Sequence, residues 1–508
     1  MKIIKILLAS IIVIVLICSG TAYYYLDSKQ PQRSGTLNLP GLKQKVDVHY
    51  DKWAIPHIYA GNEKDAYSAL GYLHAQERLF HMELLRRLSK GQLSEILGPK
   101  LISTDTFFRT IRLKQFGEEY IRQQAKDTPG YEISSAYIKG INHFIKTGPT
   151  PIEFDILKIK KTPFTTADAI SVAGYMAYSF ATGFKSDPLY SFILDSLGEE
   201  YLQDLEYKLS TSPPLKLLTQ THASMGKIAG LVADIETKFS PIGFFEGSNA
   251  WAVSGTRTKS GRPILAGDPH IAYSCPSVWY EAHIVTPDHE LYGHFLSGYP
   301  LPLLGLNSKM AWSLTMFQND DLDMFREKPN PDNPDQVWSD NKWTDLVIED
   351  EIIKVKGGDD ILIKVRQSKH GPIINDVING LKSAREPIAI SWAFHDVSNK
   401  IIDGLYELSH VQTVFEANHA LKKVHAPGLN FVMADSEGNI GWWAVAGLPI
   451  RPAHVDPNFI MDGSNPENDY LGTLDFSQNP QFINPSSGFI VSANHQPQDF
   501  GTGTIPGY

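Results

Sequence analysis

Hydrophobic and polar positions follow two different periods along the chain, and the change falls near residue 248. Over residues 63–87 the apolar side chains fall on one side of a helical projection, and Gly91 follows the end of this pattern. After residue 248, apolar runs such as NAWAV and RPILAG alternate with turns rich in glycine, proline, asparagine and aspartate. Such runs predict buried strands in stacked sheets. The sequence therefore predicts a helical first half and a β-rich second half.

Four shorter patterns predict further local structure. They are strands interrupted at Pro56, a helix capped by Thr166 or Asp168 and running through Met176, a helix over 411–424, and a hairpin that turns at 437–439.

Residues 205–247 separate the two halves. They contain the pair Pro213–Pro214, many small polar residues and few periodic signals, which is typical of a linker. The predicted organisation is an N-terminal targeting segment (1–26), a first chain (27–204), a linker or spacer (205–247) and a second chain (248–508).

The first 26 residues have the composition of an export signal. Lys2 and Lys5 precede an almost purely apolar run, and small residues that include Gly20 and Ala22 follow it. Residues 6–25 also give roughly the ~20 residues that span a bilayer, so an uncleaved membrane anchor is the alternative. Either way the sequence predicts export, to the periplasm or to the outer side of a membrane.

Composition excludes several classes of protein. The chain has 508 residues, a formal net charge of −10 and no long basic block, which gives a nucleic-acid role no electrostatic support. Cys18 and Cys275 are its two cysteines, so there is no disulfide framework. A nucleophile elbow, a phosphate-binding loop, a zinc-protease helix and a dinucleotide fingerprint are all absent from the sequence.

The junction Gly247–Ser248 is the remaining candidate for chemistry. A serine hydroxyl needs a base before it becomes a nucleophile, and an α-amino group titrates near ~7.7–8.0. Cleavage of the bond before Ser248 frees such an amine beside the hydroxyl. Glycine, which lacks Cβ, tolerates the strained geometry that this cleavage is expected to need. The alternative is an ordinary loop-to-strand junction.

The segment GSNAWAVSGTRTKSGRPILAGDPH resembles the start of the catalytic chain in the penicillin amidase family of N-terminal-nucleophile hydrolases. Further segments resemble that family in family order, from IPHIYA in the first half to NPSSGFIVSAN near the end. The resemblance implies an α+β fold, a four-layer αββα sandwich. It also implies cleavage at Gly247–Ser248 into a small and a large chain that stay together as a heterodimer.

The resemblance assigns the catalytic roles. Ser248 is the expected nucleophile, and His270 lies where related acylases have a histidine near it. The backbone N–H of Met316 and the side chain of Asn494 are the expected donors to the oxyanion. The alternatives are a turn histidine at 270 and a turn asparagine at 494.

The resemblance also implies a structural calcium ion and an acyl pocket. Asp320 and Asp323, beside Asp321, match the family's calcium segment, with Asp187 from the first half as a further ligand. A solvated acidic loop is the alternative. The acyl pocket is expected at three residues, Met176, Phe180 and Met316.

Family members normally continue well beyond the position of Tyr508, so the chain is expected to be truncated relative to them. The expected activity is hydrolysis of the acyl amide bond of penicillin-like or related N-acyl compounds. Acyl-homoserine lactone or fatty-amide hydrolysis is one alternative. An inactive remnant that acts as a binding protein is the other.

Overall fold

The structure is a computed structural model that describes residues 2–205, 207, 209, 215–239, 245–317, 319–377 and 386–495. The pair Pro213–Pro214 and the chain after residue 495 lie outside the described residues.

The helices lie mainly in the first half of the chain, as predicted. The described helices are α1 (Lys2–Asp27), α2 (Glu63–Ser89), α3 (Ser94–Leu97), α4 (Ile102–Thr110), α5 (Leu113–Gln123), α6 (Pro129–Thr147), α7 (Ile152–Leu157), α8 (Thr166–Phe180), α9 (Gly183–Ser196), α10 (Glu199–Asp204), α11 (Thr219–Phe239), α12 (Ile401–His410) and α13 (Ala417–Leu421).

Most strands lie in the second half. The described strands are β1 (Asp47–Tyr50), β2 (Pro56–Tyr59), β3 (Phe245–Val253), β4 (Ile264–Ile271), β5 (Trp279–Val285), β6 (Glu290–Leu296), β7 (Pro302–Asn307), β8 (Met310–Met316), β9 (Leu322–Arg326), β10 (Pro329–Asn330), β11 (Asn333–Ser339), β12 (Lys342–Asp345), β13 (Val347–Ile353), β14 (Ile361–Ser368), β15 (Gly371–Pro372), β16 (Ile388–Trp392), β17 (Leu429–Asp435), β18 (Ile440–Val445), β19 (Pro449–Ile450), β20 (Met461–Asp462), β21 (Gly472–Thr473), β22 (Gln481–Ile483) and β23 (Phe489–Ser492).

The largest described sheet has the strand order β1-β2-β5-β6-β7-β8-β17-β18-β22, and a three-stranded sheet has the order β23-β3-β4. Smaller sheets pair β16-β9-β20, β13-β14-β15, β10-β11-β12 and β19-β21. Strands β1 and β2 of the first half join the large sheet through the parallel pair β2–β5. The two halves therefore share one sheet.

Alternation along β17 shows how the layers stack. Phe431 and Met433 point into the main apolar core with the helices, whereas Val432 and Ala434 point into a second core with Ala250 of β3. In the described residues the order of layers is therefore helices, large sheet and small sheet, and the predicted α+β class is confirmed.

Helix α2 is the centre of the helical layer and confirms its prediction. Asn62 caps it by accepting the backbone N–H of Asp65, and basic residues occupy its last turn. It packs closely on α6, because a Cβ on Gly71 or Gly140 would lie 2.0 Å from a backbone oxygen of the facing helix. Helix α8 is also present, but its cap is Thr165, which exchanges hydrogen bonds with Asp168 in a capping box.

Part of the predicted linker is helical. Residues 219–239 form α11, whose buried stripe at Met225, Ile228, Val232 and Ile235 follows helical spacing that the sequence analysis did not detect. The role of this segment as a spacer stays a prediction.

The helix predicted over 411–424 is wrong in position. Helix α12 ends at His410, Val411 is extended, and α13 covers only five residues. The reason is the buried carboxylate of Asp435, which accepts the N–H of Val414 and ties this segment to the β17–β18 hairpin. That hairpin itself is confirmed.

Helix α1 is long and apolar enough to cross a membrane, by length and composition, and none of its residues is buried against the rest of the chain. A signal sequence near an N-terminus has the same properties.

Candidate active site

Strand β3 carries the Gly247–Ser248 junction and lies between β4 and β23. Its even-numbered residues Ala250 and Ala252 are fully buried against the large sheet, and alternation places Ser248 on the same face. The Ser248 side chain is correspondingly buried, with 2% exposure. The hydroxyl therefore lies between the two sheets, beside the peptide bond that joins Gly247 to Ser248.

The Ser248 hydroxyl contacts both residues that the sequence proposed as its partners. Ser248 Oγ donates to Asn494 Oδ1 at 2.8 Å, and the Met316 N–H donates to Ser248 Oγ at 3.2 Å. The same N–H also lies 3.2 Å from Asn494 Oδ1. Asn494 Nδ2 donates a short hydrogen bond to the Ser248 carbonyl oxygen. Residues separated by 246 positions therefore meet at one point.

Asn494 occupies the turn that follows β23. Its φ of 62° lies in the left-handed region, which asparagine adopts more readily than most residues. Asn494 is therefore a turn residue, as the alternative had it, and its amide also hydrogen-bonds to Ser248.

A buried network that sequence reasoning missed holds Met316 in place. Thr315 Oγ1 and Ser492 Oγ lie 2.6 Å apart and link the end of β8 to the end of β23. Asn430 Nδ2 on β17 donates to Thr315 Oγ1 at 3.2 Å and to the Met316 carbonyl oxygen at 2.9 Å. The network ties the strands carrying Met316 and Asn494 together, which fixes the two groups relative to Ser248.

His270 lies in β4, opposite Gly247 in the ladder, and not in a turn. Opposed residues share a face of a sheet, so the ring lies on the face away from the Ser248 hydroxyl. Its Nε2 is 3.2 Å from Asn249 Nδ2 and 3.4 Å from Asp268 Oδ2. The turn alternative is wrong, and a catalytic role for His270 stays a prediction.

Gly247 does not have a left-handed backbone before cleavage, since it is absent from the described positive-φ glycines. A Cβ built there would lie 3.4 Å from His270 Nδ1 and 3.7 Å from Asn494 Nδ2, which is ordinary contact. The structure therefore gives glycine no steric advantage over alanine at this position in the uncut chain.

The junction lies between the main apolar cluster and a cavity. Met176, Phe180 and Met316, the predicted acyl-pocket residues, are all buried in the main apolar cluster, and α8 packs against β3. A cavity of about 540 Å³ is lined by Pro269, the ladder partner of Ser248, together with Arg78 and Tyr280.

The aspartates of the predicted calcium segment are buried. Asp320, Asp321 and Asp323 are 1%, 5% and 0% exposed, which rules out the solvated acidic loop. The guanidinium of Arg451 lies 3.2 Å from Asp320 Oδ2 and 2.7 Å from Asp323 Oδ2. Sequence reasoning missed Arg451.

Asp187 of α9 completes this acidic cluster, which we define as Asp187, Asp320, Asp323 and Arg451. Burial, with the nearby Asp320 and Asp323, raises the pKa of Asp187 well above its usual value. The buried Asp323 Oδ1 has no hydrogen-bond partner among the described residues. Carboxylate oxygens with excess negative charge fit a hard cation, although Arg451 already neutralises part of that charge.

A buried serine hydroxyl, a main-chain N–H and an asparagine amide that converge at one point are groups of the kind that acyl-transfer sites use. The comparisons name the family. The sequence model of the penicillin amidase family matches residues 45–507. The chain belongs to the penicillin amidase family.

Individual relatives agree with this assignment. The chain is 30% identical over 489 residues to penicillin acylase 2 proenzyme of Pseudomonas sp., covering 93% of this chain and 61% of the relative. It is 27% identical over 504 residues to acyl-homoserine lactone acylase QuiP of Pseudomonas aeruginosa, covering 94% and 58%. The chain thus spans about three fifths of the length of these relatives.

A solved structure, thermostable penicillin G acylase from Alcaligenes faecalis, matches with 26% identity and a TM-score of 0.47, over 51% of this chain and 46% of that one.

Proposed function

We propose that this chain forms the catalytic core of an exported amide hydrolase that cuts itself before Ser248 and then uses Ser248 as its nucleophile. The observation that carries the proposal is the convergence of Ser248 Oγ, the Met316 N–H and the Asn494 amide within 3.2 Å. Family membership supplies the reaction class.

Each step uses groups of this chain. In the cut enzyme the free α-amine of Ser248 takes the hydroxyl proton while Oγ attacks the carbonyl carbon of the substrate amide. The Met316 N–H and Asn494 Nδ2 donate to the oxyanion. The C–N bond then breaks, the amine leaves with the proton, and water hydrolyses the ester on Ser248. Losing one oxyanion donor typically costs about 2.7–4 kcal/mol of transition-state stabilisation.

Substrate choice follows from the apolar side of the site. Met176, Phe180 and Met316 line the predicted acyl pocket, which favours an uncharged acyl group on the substrate. Both penicillin acylases and acyl-homoserine lactone acylases are among the relatives, so the leaving amine is either a β-lactam nucleus or a homoserine lactone. A remnant that binds N-acyl compounds without cleaving them is the competing proposal from another class.

The proposed architecture has a fourth layer. The face of the small sheet turned away from the large sheet exposes Trp251, Phe489 and Val491, at 40%, 44% and 55%. Exposed apolar patches of this kind are normally covered. The exposed apolar face of the small sheet therefore supports a covering layer, as in the αββα sandwich.

Three further features belong to the proposal. The helix α1 directs export to the periplasm, as a cleaved signal or as a membrane anchor. The cut leaves a small and a large chain joined in one heterodimer through their shared sheet. The acidic cluster holds a structural Ca²⁺ through Asp187, Asp320 and Asp323, so a chelator should lower the thermal unfolding midpoint and added Ca²⁺ should restore it.

The activity test is covalent trapping. The full chain, purified in detergent, is incubated with N-acyl anilides and activated esters that carry phenylacetyl or straight-chain acyl groups, and its mass is measured. We expect one acyl group on the fragment that begins with Ser248 and release of the amine. Fragments that carry no acyl group and release no amine with any compound would contradict the hydrolase and favour the binding protein.

A further inference from the structure

A second cluster of polar side chains lies away from Ser248. It contains Glu63 at the start of α2, His289 in the turn between β5 and β6, and His410 at the end of α12. One ligand atom from each lies within 4.8 Å of the others. We call this group the His–Glu cluster.

Tyr406 fixes two members of the His–Glu cluster. Its hydroxyl donates to Glu63 Oε2 at 2.8 Å, and its carbonyl oxygen accepts from His410 Nδ1 at 2.9 Å. Glu63 Oε1 and His410 Nε2 therefore face each other, 2.9 Å apart. A metal-binding histidine commonly donates its other ring N–H to a backbone carbonyl, which orients the ligating nitrogen. This supporting arrangement is already built around His410.

The third member, His289, is stacked on His410, with ring centroids 4.0 Å apart and planes 12° apart. Thr286 Oγ1 accepts the His289 backbone N–H at 3.1 Å and holds the turn. His289 Nε2 is buried and has no hydrogen-bond partner among the described residues. Burial and the adjacent His410 lower the pKa of His289 to about 4.

We propose that Glu63, His289 and His410 bind a divalent transition-metal ion, of which Zn²⁺ is the representative, with water completing the coordination. Two imidazole nitrogens and one carboxylate oxygen suit Zn²⁺ and its neighbours, whereas Ca²⁺ prefers oxygen ligands alone. The ion takes the place of the hydrogen bond between His410 Nε2 and Glu63 Oε1, and the His289 ring turns out of its stack on His410 to bring a nitrogen to the ion.

The site joins the two halves of the chain. Glu63 precedes the Gly247–Ser248 bond, and both histidines follow it. The ion therefore acts as a clip between the helical half and the sheet half. Metal binding at the His–Glu cluster does not depend on the proposed cleavage before Ser248. Only the statement that the ion links two separate polypeptides rests on it.

The test is a metal titration of the full chain, purified in detergent and stripped with a chelator. Calorimetry with Zn²⁺ is run in Ca²⁺-containing buffer, and Co²⁺ gives a visible absorption spectrum that reports nitrogen ligands. His289→Phe keeps a ring stacked on His410 but removes one ligand atom. His283→Gln is the matched control. His283 lies on β5, outside the His–Glu cluster, and its Nε2 is 3.1 Å from a carboxylate oxygen of Glu290, much as His410 Nε2 is 2.9 Å from Glu63.

We expect one Zn²⁺ per chain, at least about tenfold weaker binding in His289→Phe, and unchanged binding in His283→Gln. Circular dichroism verifies that each variant is folded. The Co²⁺ spectrum is measured on the wild type alone, so it does not depend on whether a variant folds. It should show the bands of a nitrogen-ligated ion. The proposal is overturned by no uptake in the wild type, by equal affinity in His289→Phe, or by loss of binding in His283→Gln.

Discussion

The Gly247–Ser248 junction and the acidic cluster are both buried and polar, yet they are held in opposite ways. At the junction all groups are neutral, and each donor meets an acceptor on another segment of the chain. In the acidic cluster three carboxylates face one guanidinium, and Arg451 is only 1% exposed. The junction depends on where its neutral donors and acceptors are placed, whereas the stability of the acidic cluster depends on the balance between its carboxylates and Arg451. Substitutions at the junction should therefore change chemistry, and substitutions in the cluster should change stability.

The largest expected effect is that of Arg451→Leu. In Ca²⁺-free buffer it leaves the buried carboxylates without a positive partner, and breaking a buried pair typically costs about 3–5 kcal/mol. Urea unfolding of the full chain measures the loss. Arg33→Leu is the control, because Arg33 is 45% exposed in its pair with Glu77 and should change stability little. A loss at Arg451 no larger than that at Arg33 would show that charge balance does not hold the cluster.

Asn494→Ala should have the largest effect on chemistry. Removing an oxyanion donor is expected to slow self-cleavage and amide hydrolysis by about 10²–10³-fold. The unfolding free energy should change much less than in Arg451→Leu. Asn484→Ala is the matched control, since Asn484 also has a positive φ (52°) but hydrogen-bonds to Asn439, away from Ser248. Equal rates in the two variants would remove Asn494 from the catalytic account.

Thr315→Val should have an intermediate effect on both properties. It leaves the shape nearly unchanged but removes the hydroxyl that bridges Ser492 and Asn430, and an unsatisfied buried group costs about 1–3 kcal/mol. A double-mutant cycle with Ser492→Ala measures the coupling between the two strands. Additive losses in that cycle would mean that the bridge does not fix Met316 relative to Asn494.

Gly247→Ala should have the smallest effect. The Cβ meets only ordinary contacts, so the unfolding free energy should stay within about 0.5 kcal/mol and self-cleavage should persist. Mass spectrometry of the purified variant detects the two fragments. A variant that folds but stays uncut would show that glycine is needed in the transition state of cleavage and not in the resting chain.

Periodicity predicted the regular elements well and their exact ends less well. Helix α2 was expected over 63–87 and covers Glu63–Ser89, because its apolar stripe is long and Asn62 caps it. The helix over 411–424 was misplaced because a tertiary hydrogen bond from Val414 to Asp435 overrides local propensity. Helix α11 was missed although its stripe was visible, since the prolines and small residues around it suggested a linker.

Some residues of the candidate site were predicted from the sequence, and others were found only in the structure. Ser248, Met316 and Asn494 lie far apart in the chain, and family resemblance, not local pattern, brought them together before the structure did. Arg451 and the Thr315–Ser492 bridge carry no local signal, because a single arginine or hydroxyl has many ordinary uses. The His–Glu cluster is of the same kind: its members come from three elements, and only the tertiary fold places them side by side.

The central claim is that this chain places a self-cleaving nucleophile at Ser248, and fragment analysis tests it most directly. Intact mass and N-terminal sequencing are measured on the purified wild type and on Ser248→Ala. The account predicts a new chain beginning with Ser248 in the wild type and a single uncut chain in the variant. A single uncut precursor in both would contradict it.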